Sequence, residues 1–351
     1  MPHNLNFNVM VRIFRIFPRA YISFKRALNK LHRRIEITSP DENPLSKSVL
    51  DREKENYPLF NAAYTDYAKA LALQTEASAA EDIAQRKTRK LNSQFIQVFN
   101  FGVTRGIFKA TDRRYYQLPV DNPAVPLMSK EEDVIRWANN LIAGEKLRVE
   151  AGGTAMINPA IEKISDAMAE FLETSNVQMM AKQEFITKQL ILAKMIPTLD
   201  QLIRDAWDEL NFFYRKEEPA AKRRILRTWG VVYSIDRTPN AEVPPVVVKV
   251  KIPVGENLCV EEFTADFKKN DSFTIHNTGN TTLEFYTSYL PDDVVPGSTV
   301  KIEAEEKTIV AVDELGSVHN LYFKVYNANK SLAGKCDITV NHYGINEEEI
   351  K

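Results

Sequence analysis

Two long stretches without glycine or proline constrain this chain more than any other feature of its sequence. The first runs from Leu59 to Phe101 and contains 43 residues. The second runs from Ala160 to Ile196 and contains 37 residues. Glycine and proline are the strongest helix breakers, so each stretch predicts one long helix. Because most helical stability in proteins comes from packing an apolar face, the two helices are expected to pack against each other.

Apolar residues recur in both stretches at alternating intervals of three and four residues, which is the spacing of a coiled coil or a helical bundle. They are Phe60, Tyr64, Tyr67 and Leu71 in the first stretch and Ile161, Ile164, Met168 and Phe171 in the second. The apolar pattern continues after Pro197 as Leu199, Ile203, Trp207, Leu210 and Phe213. The sequence therefore predicts an antiparallel bundle of long helices over residues 44–236.

Local signals predict where these helices begin and end. Asn43–Pro44 and Asn158–Pro159 both have the form of an N-cap followed by proline in the first turn. Pro58 predicts a kink or break near Tyr57, because proline removes a backbone hydrogen bond. A third helix is expected to begin at Ser129, with Glu132 completing a capping box, and to end at Ala143 and Gly144.

The two helical halves share their order of features. Each begins with Asn-Pro, contains a long breaker-free stretch and later carries two consecutive arginines before an aromatic segment. Two interpretations remain open. Residues 44–125 and 158–236 are either an internal duplication or two independent examples of the same helix-forming pattern.

The C-terminal residues 243–345 have a different texture, with short alternating segments separated by turn residues. The eight candidate strands are VVVKVKIP, NLCVEEF, DSFTIHN, TTLEFYTSY, STVKIEAE, KTIVAVD, NLYFKVYN and GKCDITVNHY. In TTLEFYTSY, Leu283 and Phe285 are expected on one face, with Glu284 and Tyr286 on the other. About eight strands in about 100 residues predict a β-sandwich.

One segment of this region, DSFTIHNTGNTTLEFYTSYLPDDVVPGSTVKI, has an N-x-G turn between paired strands and a P-G-S turn before the next. It resembles the immunoglobulin-like and fibronectin-like accessory modules of bacterial surface and secreted proteins. The resemblance covers Asp271 to Ile302, implies an immunoglobulin-like β-sandwich and implies no active site. The antibody-domain hallmark is absent, because Trp137, Trp207 and Trp229 all lie upstream of the region. The predicted fold class is thus multidomain α plus β, a long-helix antiparallel bundle followed by a C-terminal immunoglobulin-like β-sandwich.

Charge divides the chain into three zones although the net charge is −1. Residues 1–40 contain eight cations and one acid, whereas residues 241–351 contain ten lysines, no arginine and eighteen acids. The intervening zone is neutral. Opposite charge at the two ends predicts head-to-tail association between copies of the chain, weakened by salt.

The basic N-terminal segment and linker, residues 1–43, combines cations with an apolar face formed by Phe24, Leu28 and Leu31. Residues 1–36 therefore suggest peripheral membrane contact. The alternatives are that the segment packs on the bundle, or that translation starts at Met10 rather than Met1. Arginines interrupt every apolar run, so no secretory signal is recognised, and no stretch predicts a transmembrane span. Residues 346–351 form an acidic tail.

Candidates for chemistry are few. His276, His319 and His342 lack metal-ligand spacing, and Cys259 and Cys336 fit either a disulfide or two free thiols. Four basic clusters suggest nucleic-acid binding or, more consistently with the charge distribution, ion pairs between helices. They are Arg86-Lys87, Arg89-Lys90, Arg113-Arg114 and the set Lys222, Arg223, Arg224 and Arg227. The sequence therefore predicts no catalytic residue, no cofactor-binding residue, no metal ligand, no cofactor and no nucleic-acid partner.

These observations predict a non-enzymatic structural or interaction protein. An elongated helical bundle would present a β-sandwich module to a protein partner, to a glycan or to another copy of the chain. The alternative is a helical pore-forming or membrane-active toxin-like protein that uses its basic N-terminal segment. The sequence leaves the compartment open, and export to the cell surface by a route without a classical signal is one of the options.

Overall fold

The computed structural model describes residues 12–236, 245–263, 267, 271–291, 293–317 and 319–342. The helices are α1 Tyr21–Ile37, α2 Lys47–Thr104, α3 Glu131–Glu150, α4 Ile161–Phe213, α5 Pro219–Thr228 and α6 Val312–Leu315. The strands are β1 Arg12–Ile16, β2 Val232–Asp236, β3 Val246–Ile252, β4 Asn257–Cys259, β5 Ser272–Asn277, β6 Leu283–Ser288, β7 Val300–Ile302, β8 Lys307–Ala311, β9 Tyr322–Tyr326 and β10 Gly334–Asn341. The predicted succession of long helices and C-terminal antiparallel sheets is confirmed. Met1, Met10 and the tail 346–351 lie outside the described residues.

Both breaker-free stretches are helical, and both helices are longer than predicted. α2 contains 58 residues and continues through Pro58, while α4 contains 53 residues and continues through Pro197. The predicted break near Tyr57 is therefore wrong, and a kink there stays a prediction. A proline removes one backbone hydrogen bond, and complete burial of nearby side chains such as Phe60 and Leu199 offsets that loss.

The Asn-Pro caps are also wrong. α2 begins four residues after Asn43, whose side-chain oxygen instead accepts a hydrogen bond from the Leu45 amide at 3.1 Å. The Ser46 hydroxyl accepts the hydrogen bond from the first-turn amide of Val49 at 3.4 Å. The peptide bond of the second pair, Asn158–Pro159, is cis. The contact of Asn43 with the amide two residues later is a local turn that asparagine side chains also favour. The duplication of residues 44–125 and 158–236 stays a prediction.

The third helix begins at Glu131, close to the predicted Ser129, but does not end at Gly144. It continues to Glu150, six residues beyond the predicted end. Gly144 lies inside the helix because the backbone of the 3₁₀ turn Ala110–Tyr116 crosses it there. A Cβ atom at this position would lie 2.4 Å from the carbonyl oxygen of Tyr115. The glycine thus permits close packing instead of terminating the helix.

Replacing Gly144 with alanine is therefore expected to destabilise the protein, whereas alanine ordinarily stabilises a helix interior by about 1 kcal/mol relative to glycine. The clash is with backbone and cannot be relieved by a rotamer change, so we expect a net loss of about 1–3 kcal/mol. Chemical denaturation of the two proteins measures it. A Gly144→Ala variant as stable as the wild type would show that the turn moves aside without cost.

The chain divides into two compact units. The first comprises residues 1–61 and 196–351, and the second comprises residues 62–195. α2 and α4 each contribute to both units. The predicted domain boundaries, which assign 44–236 to one bundle and 243–345 to one module, stay predictions. In the second unit, α2, α3 and α4 pack around buried residues including Phe95, Phe99, Tyr116, Leu141 and Phe171.

The first unit contains three sheets among the described residues. β1 pairs with β2 in a two-stranded sheet that the sequence did not predict, whereas all eight predicted C-terminal strands are present. Those eight form two four-stranded antiparallel sheets, ordered β3-β10-β5-β8 and β4-β9-β6-β7.

The strand order does not confirm the predicted immunoglobulin-like arrangement. In an immunoglobulin constant-type domain, the first strand lies beside the second in one sheet. Here β3 pairs with β10, and its chain neighbour β4 pairs with β9 in the other sheet. This pairing is set by long-range contacts, which the local pattern of the strands does not determine.

Apolar side chains from both four-stranded sheets form one core. Leu283 and Phe285 are members, as the alternation predicted, and Tyr286 is buried outside that cluster. Cys336 is also in the core, where burial raises the pKa of its thiol to about 12. Cys259 is half-buried, and both cysteines are free thiols.

Candidate interaction surfaces

The basic N-terminal helix contacts the acidic sheet region of the same chain within the first unit. Lys30 of α1 pairs with Glu306 at 2.9 Å, and both side chains are nearly buried. Arg33 pairs with Glu303 at 3.0 Å, in a more exposed position. Arg26 donates a hydrogen bond to the carbonyl oxygen of Glu305 at 2.5 Å. One turn preceding β8 therefore receives three cations from α1.

The short helix α5 makes a second and more deeply buried contact with the same region. The guanidinium of Arg227 pairs with the Glu314 carboxylate and donates to the Ile309 carbonyl at 2.7 Å. Arg223 contacts Asp313 at 2.7 Å and Glu314 at 3.2 Å. Burial disfavours the charged form of Arg223, but these two carboxylates outweigh it and raise the pKa of the guanidinium.

Opposite charges from the two ends of the chain therefore pair with each other inside the first unit. Lys30 and Arg33 come from the basic zone, and Glu303 and Glu306 come from the acidic zone. Head-to-tail association between copies stays a prediction, but some of the charges that motivated it already have intramolecular partners.

The four basic clusters behave differently from one another. Lys87 pairs with Glu170 at 2.5 Å, an ion pair between helices α2 and α4 of the predicted kind. Arg113 instead donates to the carbonyl oxygens of Pro119 and Asn122, at 2.5 Å each. Arg223 and Arg227 pair with the sheet region. Their partners were not foreseen because the acids lie almost ninety residues further along the chain.

The apolar face proposed for membrane contact is buried. Phe24, Ala27, Leu28 and Leu31 of α1 all lie in the core of the first unit. This agrees with the alternative in which the segment packs on the bundle. No helix among the described residues is long and apolar enough to cross a membrane. The membrane-active function stays a prediction, and the apolar face of α1 that suggested it is buried.

A buried polar cluster in the second unit was missed. The Glu145 carboxylate accepts hydrogen bonds from Arg148 at 2.9 Å, from the Met156 amide at 2.7 Å and from the Tyr116 hydroxyl at 2.5 Å. Burial opposes ionisation, but these donors outweigh it and hold the pKa of Glu145 below its usual range. Burial and the adjacent carboxylate raise the pKa of Tyr116. The i,i+3 spacing of Glu145 and Arg148 was the available signal. This spacing brings the two side chains together only in a helix, and the predicted helix ended at Gly144.

The histidines do not converge on one site. His342 contacts the buried Asp271 carboxylate through Nδ1 at 2.8 Å, and His276 lies on β5. Within the described ranges, no group of three or more histidine, cysteine, aspartate or glutamate side chains could hold a metal ion. A cleft of about 520 Å³ lies beside α5, lined in part by Arg224, Thr287 and Asn320. Arg224 donates there to the Asp313 carbonyl at 3.1 Å, so the cleft wall belongs to the helix-sheet contact.

One loop of the sheet region makes polar contacts at Leu290 and Pro291 and exposes apolar side chains. The Ser288 hydroxyl donates to the Leu290 carbonyl at 2.7 Å, and the Leu290 amide donates to Asp293 at 2.9 Å. Lys324 donates to the carbonyl of Pro291. The loop tip, defined as Tyr289, Leu290, Val294 and the adjacent Leu321, is exposed by 62%, 55%, 88% and 41% respectively.

Comparison of the sequence with protein-family models and with curated proteins finds no match. Function is therefore argued from the geometry of these surfaces alone.

Proposed function

We propose that this chain is a non-enzymatic interaction protein, in which a helical bundle holds a C-terminal β module that binds another protein. The observation that carries the proposal is the loop tip. Hydrogen bonds hold its backbone at Leu290 and at the adjacent Pro291, while its apolar side chains face water. A preordered loop loses little conformational entropy on binding, and aromatic and aliphatic side chains are the usual anchors of protein interfaces.

The pairing of the strands supports a jelly-roll module in preference to an immunoglobulin-like one. The pairs β3 with β10, β4 with β9, β5 with β8 and β6 with β7 are nested, as in one antiparallel ribbon folded over twice. Eight strands in two sheets with this nesting are typical of jelly rolls. Loops such as the one between β6 and β7 connect strands at the module's ends, where binding residues commonly lie.

The buried ion pairs of α1 and α5 support a holding role for the helices. They attach the β8 edge and α6 to the helices through Glu306 and Glu314. Because the helices hold the module in place, its loop is presented to a partner in a fixed orientation relative to α1 and α5.

A site-specific crosslinking experiment tests the proposal. A photo-crosslinking residue placed at Val294 in the natural host is expected to capture one discrete protein. The matched control is Val247 on β3, a valine that is 60% exposed and lies outside the loop tip. Tyr289→Ser together with Leu290→Ser should abolish capture from position 294. Equal capture from both valines, or none from either, contradicts the proposal, and purified glycans binding at the loop would replace the protein with a glycan as partner.

A further inference from the structure

Helix α4 carries two apolar faces within the second unit, and only one of them packs against another helix of that unit. The inner face packs against α2, as shown by the Thr88 hydroxyl donating to the Ala167 carbonyl at 2.9 Å. Further along, Lys188 pairs with Asp66 at 3.0 Å, and the ring of Phe185 lies 5.6 Å from that of Tyr67. These contacts account for the inner face over most of its length.

The other face is a regular seam of exposed residues. Its positions alternate by three and four residues, and every member is exposed. We call it the outer seam: Ala169, Leu172, Asn176, Met179, Gln183, Ile186, Leu190 and Ala193. Its most exposed large members are Met179 at 60% and Leu190 at 58%.

This seam has the form of a coiled-coil interface. The solvent face of a helix ordinarily carries charged residues, whereas none of the eight outer-seam positions is charged. A 3-4 repeat over 25 residues keeps the same side chains directed toward one partner helix. The partner must be a helix that lies along α4 for several turns.

We propose that this partner is α4 of a second copy of the chain, packed parallel and in register. In that arrangement Asn176 and Gln183 each face their own counterpart. A side-chain amide carries both donors and an acceptor, so identical amides satisfy each other. Single polar layers of this type fix register and oligomeric state in coiled coils.

Charge and polarity disfavour the antiparallel arrangement. It would place Asn176 opposite Ile186 and Gln183 opposite Met179, so both amides would be buried without partners. It would also bring Lys182 beside its own counterpart, and like charges repel. In the parallel arrangement Lys182 lies beside Thr187 of the other copy, which removes this repulsion.

The size of the seam sets the expected strength. Twenty-five helical residues span about 37 Å, and a helix is about 10–12 Å wide, so each copy contributes a strip of about 400 Å² before its side chains interdigitate. A standard specific interface buries about 800 Å² per partner. We therefore expect a reversible dimer that dissociates on dilution through the micromolar range.

Cysteine crosslinking tests the orientation. Met179→Cys places two thiols directly opposite only in the parallel, in-register pair, and Cα atoms more than about 7 Å apart cannot form a disulfide. Under mild oxidation this full-length variant should form a covalent dimer. The matched control, Glu184→Cys, is exposed on α4 but lies outside the outer seam. Equal dimer yields from the two variants would overturn the proposal.

Sedimentation velocity provides the second measurement. Wild-type protein should sediment increasingly as a dimer as its concentration rises, and Met179→Lys should weaken the dimer by at least about tenfold. A monomer at every concentration would overturn the proposal. The inference is independent of the proposed function, because loop-tip variants leave the outer seam intact and Met179→Lys leaves the loop tip intact.

Discussion

Replacing Glu314 with glutamine is expected to lower the free energy of unfolding of the first unit by about 3–5 kcal/mol. Glu314 is 1% exposed and contacts both Arg223 and Arg227. Glutamine retains the shape but not the charge, so Arg227 would remain buried without a carboxylate. The cost arises from that uncompensated guanidinium more than from the lost contact itself.

The measurement is chemical denaturation followed by tryptophan fluorescence in a Trp137→Phe background. Trp207 and Trp229 then report on the first unit alone, because Trp137 is the tryptophan of the second. Glu303→Gln is the matched control. Its pair with Arg33, whose side chain is 69% exposed, should contribute only about 0–1 kcal/mol.

A second substitution separates the two causes. Adding Arg227→Met to Glu314→Gln removes much of the unpaired charge and should recover part of the lost stability. Equal losses in Glu314→Gln and the Glu303 control would show that the helix-sheet contact contributes no more than a surface ion pair.

Features of the fold encoded by local pattern could be predicted from sequence. The long helices follow from the absence of breakers between Leu59 and Phe101, and the eight strands follow from period-two alternation bounded by turn residues. β1 was not predicted, because Arg12–Ile16 is short and pairs with β2 more than two hundred residues later. The order of the strands in the sheets could not be predicted for the same reason, since nothing within β3 indicates that it pairs with β10.

The sites were harder to predict because each depends on which distant segment of the chain contacts the residue in the fold. Gly144 has the local signature of a helix end, but the turn at Tyr115 passes over it and determines its role. The charge zones were visible in the sequence. Only the structure shows that charged residues of α1 and α5 pair with acids of the sheet region. The loop tip consists of ordinary residues, and their exposure depends on how the surrounding sheet region folds.

The buried cluster of the second unit gives the other large effect. Replacing Glu145 with glutamine should destabilise that unit by about 3–5 kcal/mol at neutral pH, because Arg148, 2% exposed, would lose its only carboxylate partner among the described contacts. Asp133→Asn on the same helix is the matched control. Asp133 and Arg136 have the same i,i+3 spacing, but Arg136 is exposed, so the expected change is about 0–1 kcal/mol.

The same pair predicts a pH dependence with a definite sign. The pKa of Glu145 is lower in the folded state than in the unfolded chain, where a glutamate titrates near about 4.3. The unfolded state therefore binds this proton first as the pH falls, and stability is lost between about pH 4.3 and the lower folded-state pKa. Above that window the contribution of Glu145 is fully present. Hydrogen exchange of α3 amides, followed from pH 6 downward with the intrinsic rate corrected, should show a steeper loss of protection in the wild type than in Glu145→Gln. Parallel curves would mean that the carboxylate is already protonated in the fold, or equally stabilised in the unfolded chain, and either result would contradict the charged cluster described here.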